Sequence, residues 1–397
     1  MKKRIVVAFL ILLIPLTILA FREWRKNRSD LITVRPVDVE ELQALPYAQW
    51  TKNKESASTR GVTKFDQHQA WSGYNVYTND VNTAFLMDMS GKIIHKWRFQ
   101  KNKKCEYAYL LPNGDMLGVC MGQGVWKVDT DSNVIWRTRY FVHHDIEPLP
   151  DGTFWTTRRE KNRPYMGRLV VFDALQRLSA DGQLLDKWYT YDHLDELKRW
   201  HKPLDLDKPA TEQSQKKYDY YHLNTVKLIP ENPHGARDKR FQPGNLLICL
   251  RNVNLVAILE KDTMRVVWGY GTNELDWPHM PVMLSNGNIL IFDNGIHRKY
   301  SRVIEINPLT KKIIWSYGGE NNRNFFSALQ GSAQRLPNGN TLICESDKGH
   351  VFEVTPAGDV VWEFWNPQVK ENSRKTIYRF LRVPQKYIAG IQGIVGR

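Results

Sequence analysis

Apolar residues recur along most of the chain in short runs with period-two alternation, and each run stops at a Gly-containing turn. The order is easiest to see late in the chain. SNGNILIF at 285–292 leads into SRVIEINPLTKKIIWSYG at 301–318, and PNGNTLIC at 337–344 leads into GHVFEVTPAGDVVWEFW at 349–365. Each unit has an apolar segment, an Asn-Gly or Asp-Gly turn, two further alternating segments and a last strand ending in Trp, which predicts a four-stranded antiparallel sheet. Earlier copies are PNGDMLGV at 112–119 with VWKVDTDSNVIW at 125–136, PDGTFWTT at 150–157 with LQRLSADGQLLDKW at 175–188, and PGNLLICL at 243–250 with LVAILEKDTMRVVW at 255–268. Closing tryptophans fall at Trp97, Trp136, Trp188, Trp268, Trp315 and Trp362. Six units of about 40–50 residues predict an all-β chain folded as a six-bladed β-propeller, because a ring of antiparallel sheets hides their edges in a way a solenoid does not. A Trp at a fixed offset from each turn reads as packing between sheets and not as a base-stacking surface.

Three segments break the pattern. Ile5 to Phe21 is an uninterrupted apolar run of 17 residues, near the short end of a membrane-spanning helix. With Ile18 two residues before Ala20, the cleavage pattern is poor, so residues 1–28 are expected to stay as a signal-anchor helix, with cleavage as the alternative. Residues 29–70 read as a stalk and packing segment containing a short helical pattern, DVEELQAL at 38–45, stopped by Pro46. Residues 71–397 then form the propeller, and 190–220, which lengthen the link between the third and fourth units, read as a lid over one mouth or as a solvated loop.

Charge sharpens this division. The chain carries 56 Lys+Arg against 42 Asp+Glu, a net +14. Lys2, Lys3, Arg4, Arg22, Arg25, Lys26 and Arg28 against Glu23 give +6 to residues 1–28, leaving +8 for the other 369. Much of the excess thus flanks the apolar run, where it orients or tethers the chain, and no nucleic-acid footprint remains. Both flanks are basic, so the charge alone does not orient the segment. The four cysteines form no CxxC pair. Cys105 and Cys120 are placed to face each other across a hairpin turning at Asn113-Gly114, as a disulfide in an exported chain. Cys249 and Cys344 occupy equivalent repeat positions and read as core residues in separate units.

Candidate chemistry lies where the repeats differ. The start of each innermost strand lines the axial channel of a propeller, and histidine recurs there: His143 and His144 in HHDIEPLPDG, His222 in YHLNTVKLIP and His279 in WPHMPVMLSNG, with Gly331 in the last unit. The spacing to the following Leu matches His144 with His279 and His143 with His222, so which member of the His143–His144 pair faces the channel stays open. Arg251 in LICLRN aligns with Asn294 in LIFDNG, and Arg159 lies in the matching place of WTTRRE. An imidazole-lined cationic funnel suits an anionic substrate, because guanidinium grips two oxygens of a sulfate or phosphate and neutral imidazole serves as nucleophile or proton carrier. Competing readings are a set of inter-sheet ion pairs and a three-histidine zinc site, for which no HExxH-type spacing is present.

The segments GYNVYTNDVNTAFLMDMSGKIIHKW, HHDIEPLPDG, HLNTVKL with LICLRNVNLVAILEKDTMRVVWGYG, HMPVMLSNGNILIFDNGIHRKYSRVIEI and QRLPNGNTLI together resemble the bacterial arylsulfotransferases that do not use the nucleotide sulfate donor. The resemblance spans most of the chain after about residue 60. It implies an exported six-bladed propeller, body in the periplasm or outside the cell, that moves a sulfuryl group from an aryl sulfate ester to a phenol through a sulfated histidine, without a cofactor or metal. It further implies His279 as the sulfated residue, with His222, Arg251 and one of His143 and His144 as its partners; His144 is taken as catalytic and His143 and Asn294 as substrate contacts, and His297 and Arg298 in NGIHRKYS read as further substrate contacts at the mouth or as a surface loop. A quinoprotein-like oxidoreductase and a non-catalytic interaction propeller are the alternatives. An absent quinone absorbance excludes the first, and convergence of His222, His279 and Arg251 at one channel mouth excludes the second.

Overall fold

The computed structural model describes residues 50–52, 58–78, 82–99, 105–204, 218–389 and 391. The apolar run Ile5 to Phe21, the helical pattern at 38–45 and residues 205–217 of the expected lid lie outside them. Among the described residues, no helix is long and apolar enough to cross a membrane.

The chain is all-β and propeller-like. Among the described residues it forms six antiparallel sheets of four or five strands, four of them meanders in chain order and two completed by a strand from the other end of the chain, with two small three-stranded sheets besides. Five of the six start where the sequence places them. Their innermost strands are Cys105–Leu110, Val142–Pro148, Leu223–Leu228, Pro278–Met283 and Ser332–Arg335. The turns after these strands carry Gly114, Gly152, Gly244, Gly287 and Gly339 at φ between +80° and +92°, a conformation without steric cost only for glycine. Even where ENPHGARDKRFQ is inserted before it, Gly244 donates its N–H to Ile229 O, as Gly287 does to Leu284 O, so the insertion leaves the turn intact.

The first sheet differs. Its strands Tyr74–Thr78, Thr83–Met87 and Ile93–Arg98 are completed on the inside by Phe380–Val383 from the far end of the chain. This pairing removes the edge that Tyr74–Thr78 would otherwise present. Gly61–Phe65 adds a fifth, outer strand to the sixth sheet, pairing with Val360–Trp365, so the sheet array begins ten residues earlier than the expected boundary at 71.

The closing tryptophans tie each sheet to the next. Trp97 donates its Nε1–H to Gly114 O, Trp136 to Ala180 O, Trp188 to Met264 O, Trp268 to Pro308 O and Trp315 to Pro356 O, at 2.9–3.1 Å. Trp362 of the sixth sheet donates to Met89 O of the first at 2.9 Å, so the series returns to its start. The second strands, Leu246–Leu250 and Ile289–Asp293 among them, are wholly buried because neighbouring sheets cover both faces. Val134, Ile135, Ile313 and Ile314 on the outermost strands are exposed.

Cys105 and Cys120 are paired residues of the second sheet and form a disulfide, as the hairpin spacing predicts. Cys249 and Cys344 are buried thiols in the second strands of the fourth and sixth sheets. Of 190–220, the described part packs along the fourth sheet: Leu197 of the helix Leu194–Leu197 is buried, Glu196 accepts from Val266 N, and the Trp200 ring lies against Gly269.

Candidate active site

The innermost strands of the third, fourth and fifth sheets each carry a bulge beside a histidine, with register shifts at His143/Ile146, Leu223/Thr225 and His279/Val282. His144 and His222 adopt φ of +55° and +53°, and Met280 after His279 adopts +50°. Such bulges re-aim a side chain out of the pleat, and these non-glycine residues at positive φ hold backbone strain. The sixth sheet has Gly331 at the corresponding place for a packing reason: a Cβ there would fall 2.3 Å from the Phe292 ring.

His279 is 2% exposed. Its Nδ1 lies 2.7 Å from Asn294 Oδ1 and 3.2 Å from Trp277 O. The Asn294 amide is fixed because its Nδ2 donates to Ser327 O and Gln330 O at 2.7 and 2.8 Å. Both neighbours of Nδ1 are therefore acceptors, so Nδ1 holds the ring proton and Nε2 holds the lone pair. That Nε2 is buried and has no hydrogen-bond partner among the described residues. Burial, followed by the Arg251 charge, holds the His279 imidazole well below the ordinary histidine range, so it is neutral at pH 7.

Arg251 opens a short 3-10 turn, Arg251–Val253, directly after its strand. Its guanidinium stacks 4.2 Å from the Trp277 ring centroid and its Nε donates to Asn252 Oδ1. The charge acts on His144, His222 and His279 alike, and the backbone N–H of Arg251 donates to His222 O. Arg251 thus acts electrostatically on both His222 and His279.

His222 and His144 meet with their Nε2 atoms 3.1 Å apart, and the Nδ1 atoms of His144 and His143 are 2.5 Å apart. At one end Asp219 Oδ2 accepts from His222 Nδ1 at 2.6 Å and from Arg159 at 3.0 Å. At the other, His143 Nε2 lies 3.3 Å from Asp173 Oδ1. Burial and Arg251 push the His222 imidazole down to about 4 against the opposing pull of Asp219. Burial and the neighbouring imidazoles push His144 down as well. Burial alone would raise the Asp219 carboxyl, but His222 and Arg159 hold it well below the usual carboxylate range.

Below the histidines, Asp145 accepts from Arg379 and Lys227 and from Val226 N, and Lys227 also reaches Glu147 at 3.0 Å. This buried network joins the inner strands of the third and fourth sheets to the strand that closes the first.

Asn294 orients His279. Arg298 pairs with Asp293 at 2.8 Å, and His297, mostly exposed, pairs with Asp276 at 2.7 Å. Asp219, Asp173, Trp277 and Arg379 were not singled out from sequence. Asp219 stands three residues before His222 in YDYYH, a spacing that signals an orienting carboxylate. Arg379 had no repeat to flag it, because its sheet is divided between the two ends of the chain.

The sequence profile described as Arylsulfotransferase (ASST) matches residues 110–367, which hold every one of these site residues except Arg379. The chain belongs to the arylsulfotransferase family. Membership carries a sulfotransferase-type function, with aryl sulfates and phenols as the implied substrate classes. No curated protein matches the chain significantly. Among solved structures it is similar to a protein of unknown function from Bacteroides caccae, with 15% identity, 78% of this chain and 98% of that one covered, and a TM-score of 0.49. It is also similar to a streptogramin B lyase, with 13% identity, 82% and 88% covered, TM-score 0.45, and to a virginiamycin B lyase from Staphylococcus aureus, with 9% identity, 78% and 88% covered, TM-score 0.43.

Proposed function

We propose that the protein is an aryl-sulfate sulfotransferase that works by a ping-pong mechanism through sulfated His279, on a closed six-bladed propeller. The observation that carries this reading is the buried Nε2 lone pair of His279, whose direction Asn294 and Trp277 O fix and beside which Arg251 supplies a positive charge. A neutral imidazole oriented in this way is an activated nucleophile. Its Nε2 forms an N–S bond while the aryl S–O bond breaks, and the electron pair departs on the aryl oxygen, which takes a proton from the His144–His222 pair. A phenol then attacks the same sulfur and gives its proton to that pair. The N–S bond breaks, and Nε2 recovers its lone pair.

Arg251 serves the sulfuryl oxygens as charge moves toward the leaving phenolate. The closed cycle of six tryptophan hydrogen bonds supports the blade number. The apolar run Ile5 to Phe21 and the Cys105–Cys120 disulfide favour a body anchored to the membrane and facing an oxidising compartment such as the periplasm. The test is transfer from 4-nitrophenyl sulfate to a panel of phenols by the full chain. Acceptor-dependent release of 4-nitrophenol is expected, falling to background in His279→Ala. Wild-type rates in His279→Ala would overturn the mechanism.

A further inference from the structure

Three imidazoles in a row between two carboxylates pose a question of proton number. Three contacts are hydrogen bonds and need a proton each, Asp219 to His222, His222 to His144 and His144 to His143, while His143 Nε2, with no hydrogen-bond partner among the described residues, lies 3.3 Å from Asp173 Oδ1. Three neutral imidazoles carry only three ring protons. In a neutral row those three hydrogen bonds use every ring proton, and the bare His143 Nε2 lone pair faces the Asp173 carboxylate at 3.3 Å in a site where all three histidines are 3% exposed. That arrangement is repulsive, and a fourth proton turns it into an attraction.

We infer that the row holds this fourth proton, stored on His143 against Asp173, and that it is a relay delivering the proton to the leaving aryl oxygen and recovering it from the acceptor phenol.

The placement follows from the partners. With His143 protonated at both nitrogens, its Nε2–H faces Asp173 at ion-pair distance and its Nδ1–H donates to His144 Nδ1. His144 then donates through Nε2 to His222, and His222 through Nδ1 to Asp219, so no contact is left unmatched. The low proton affinity of His144 and His222, imposed by burial and by Arg251, keeps the charge at the far end in the resting protein. Two hops, from His143 Nδ1 to His144 Nδ1 and from His144 Nε2 to His222 Nε2, move it to His222. The Nε2 atoms of His144 and His222 contact each other, and an aryl oxygen arriving there takes the place of one imidazole as the proton's acceptor. Other groups facing the row are Thr157, whose Oγ1 is 3.4 Å from His143 Nδ1, Arg159 behind Asp219, and Tyr378, whose ring centroid is 6.2 Å from that of His144. Asp173 is itself held by Leu223 N, which donates to its Oδ2 at 3.0 Å. His143 and Asp173 are thus positioning residues for the proton, and His143 is not a substrate contact.

The inference rests on the sulfuryl-transfer reading for the use of the proton, but not for its presence, and two measurements separate these. In histidine-selective nitrogen-15 spectra of the full chain near pH 7, the wild type should show one imidazolium in this row that Asp173→Asn loses. Three neutral rings in the wild type would overturn the inference whatever the activity. In single-turnover desulfation, Asp173→Asn and His143→Gln should lose about tenfold or more with phenyl sulfate, whose leaving phenolate needs a proton, and stay within about twofold with 4-nitrophenyl sulfate, whose leaving group does not. The alkaline limb of the phenyl sulfate profile should move to lower pH in Asp173→Asn, because the row then binds its fourth proton less tightly. Equal losses with both donors, or none, would overturn the relay. Inactivity of the wild type with both donors would instead overturn the sulfuryl-transfer reading, and the spectra would still decide the proton number.

Discussion

Asn294 determines which nitrogen of His279 is available, through an amide held by two backbone carbonyls. Losing one such hydrogen bond costs about 1.5–3 kcal/mol, so Asn294→Ala should slow the first half-reaction about ten- to a hundredfold. A folded variant with a wild-type burst of 4-nitrophenol would show that the tautomer is set otherwise. Arg251→Ala should cost about 10²–10³ in kcat/KM, as removal of an oxyanion donor does, and steady-state kinetics would read it. The pH dependence has a definite sign. His279 must be neutral to attack, and burial and Arg251 depress its proton affinity, so the burst rate with 4-nitrophenyl sulfate should hold constant as pH falls from 8 to 6. An ordinary histidine would lose most of its neutral form over that span, and a midpoint near 6.5 would contradict this site. His279, His222 and Arg251 were legible in the sequence because each replaces another residue type at a fixed repeat position. Asp173 was not, because it sits at the start of a third strand, where no departure from the repeat marks it. The choice between His143 and His144 was not legible either, since a bulge and a positive φ at His144 place both in the row.

At the level of strands and sheets, the turn glycines and the closing tryptophans were enough to order five sheets correctly. The tryptophan ring and its Nε1–H contribute separately. Trp362→Phe keeps most of the buried ring and loses the bond to Met89 O, which should cost about 1 kcal/mol. Trp362→Ala leaves a cavity as well and should cost about 3–5 kcal/mol, and urea unfolding distinguishes the two. An unchanged stability of Trp362→Phe would mean that the hydrogen bond closes nothing. Reduction of Cys105–Cys120, which encloses a separation of 15 residues, should lower stability by about 3 kcal/mol while leaving the distant histidines in place. The composite first sheet escaped the repeat because its inner strand, Phe380–Val383, belongs to the opposite end of the chain.

Across the whole molecule, closure and chemistry use the same residues. The strand that completes the first sheet brings Arg379 to Asp145, and Asp145 is also held by Lys227 and Val226 N of the fourth sheet, whose inner strand follows directly from His222. These contacts form a network of matched charges next to the histidine row, and the Nε2 of His279 has no hydrogen-bond partner among the described residues. The claim that gives this arrangement its purpose is that His279 carries the sulfuryl group between donor and acceptor. The most direct test is mass spectrometry of the protein mixed with excess 4-nitrophenyl sulfate in the absence of a phenol. The account predicts a gain of one SO3 on the peptide containing His279, absent in His279→Ala and discharged when phenol is added. An unmodified His279 in a protein that nevertheless transfers sulfate would contradict it.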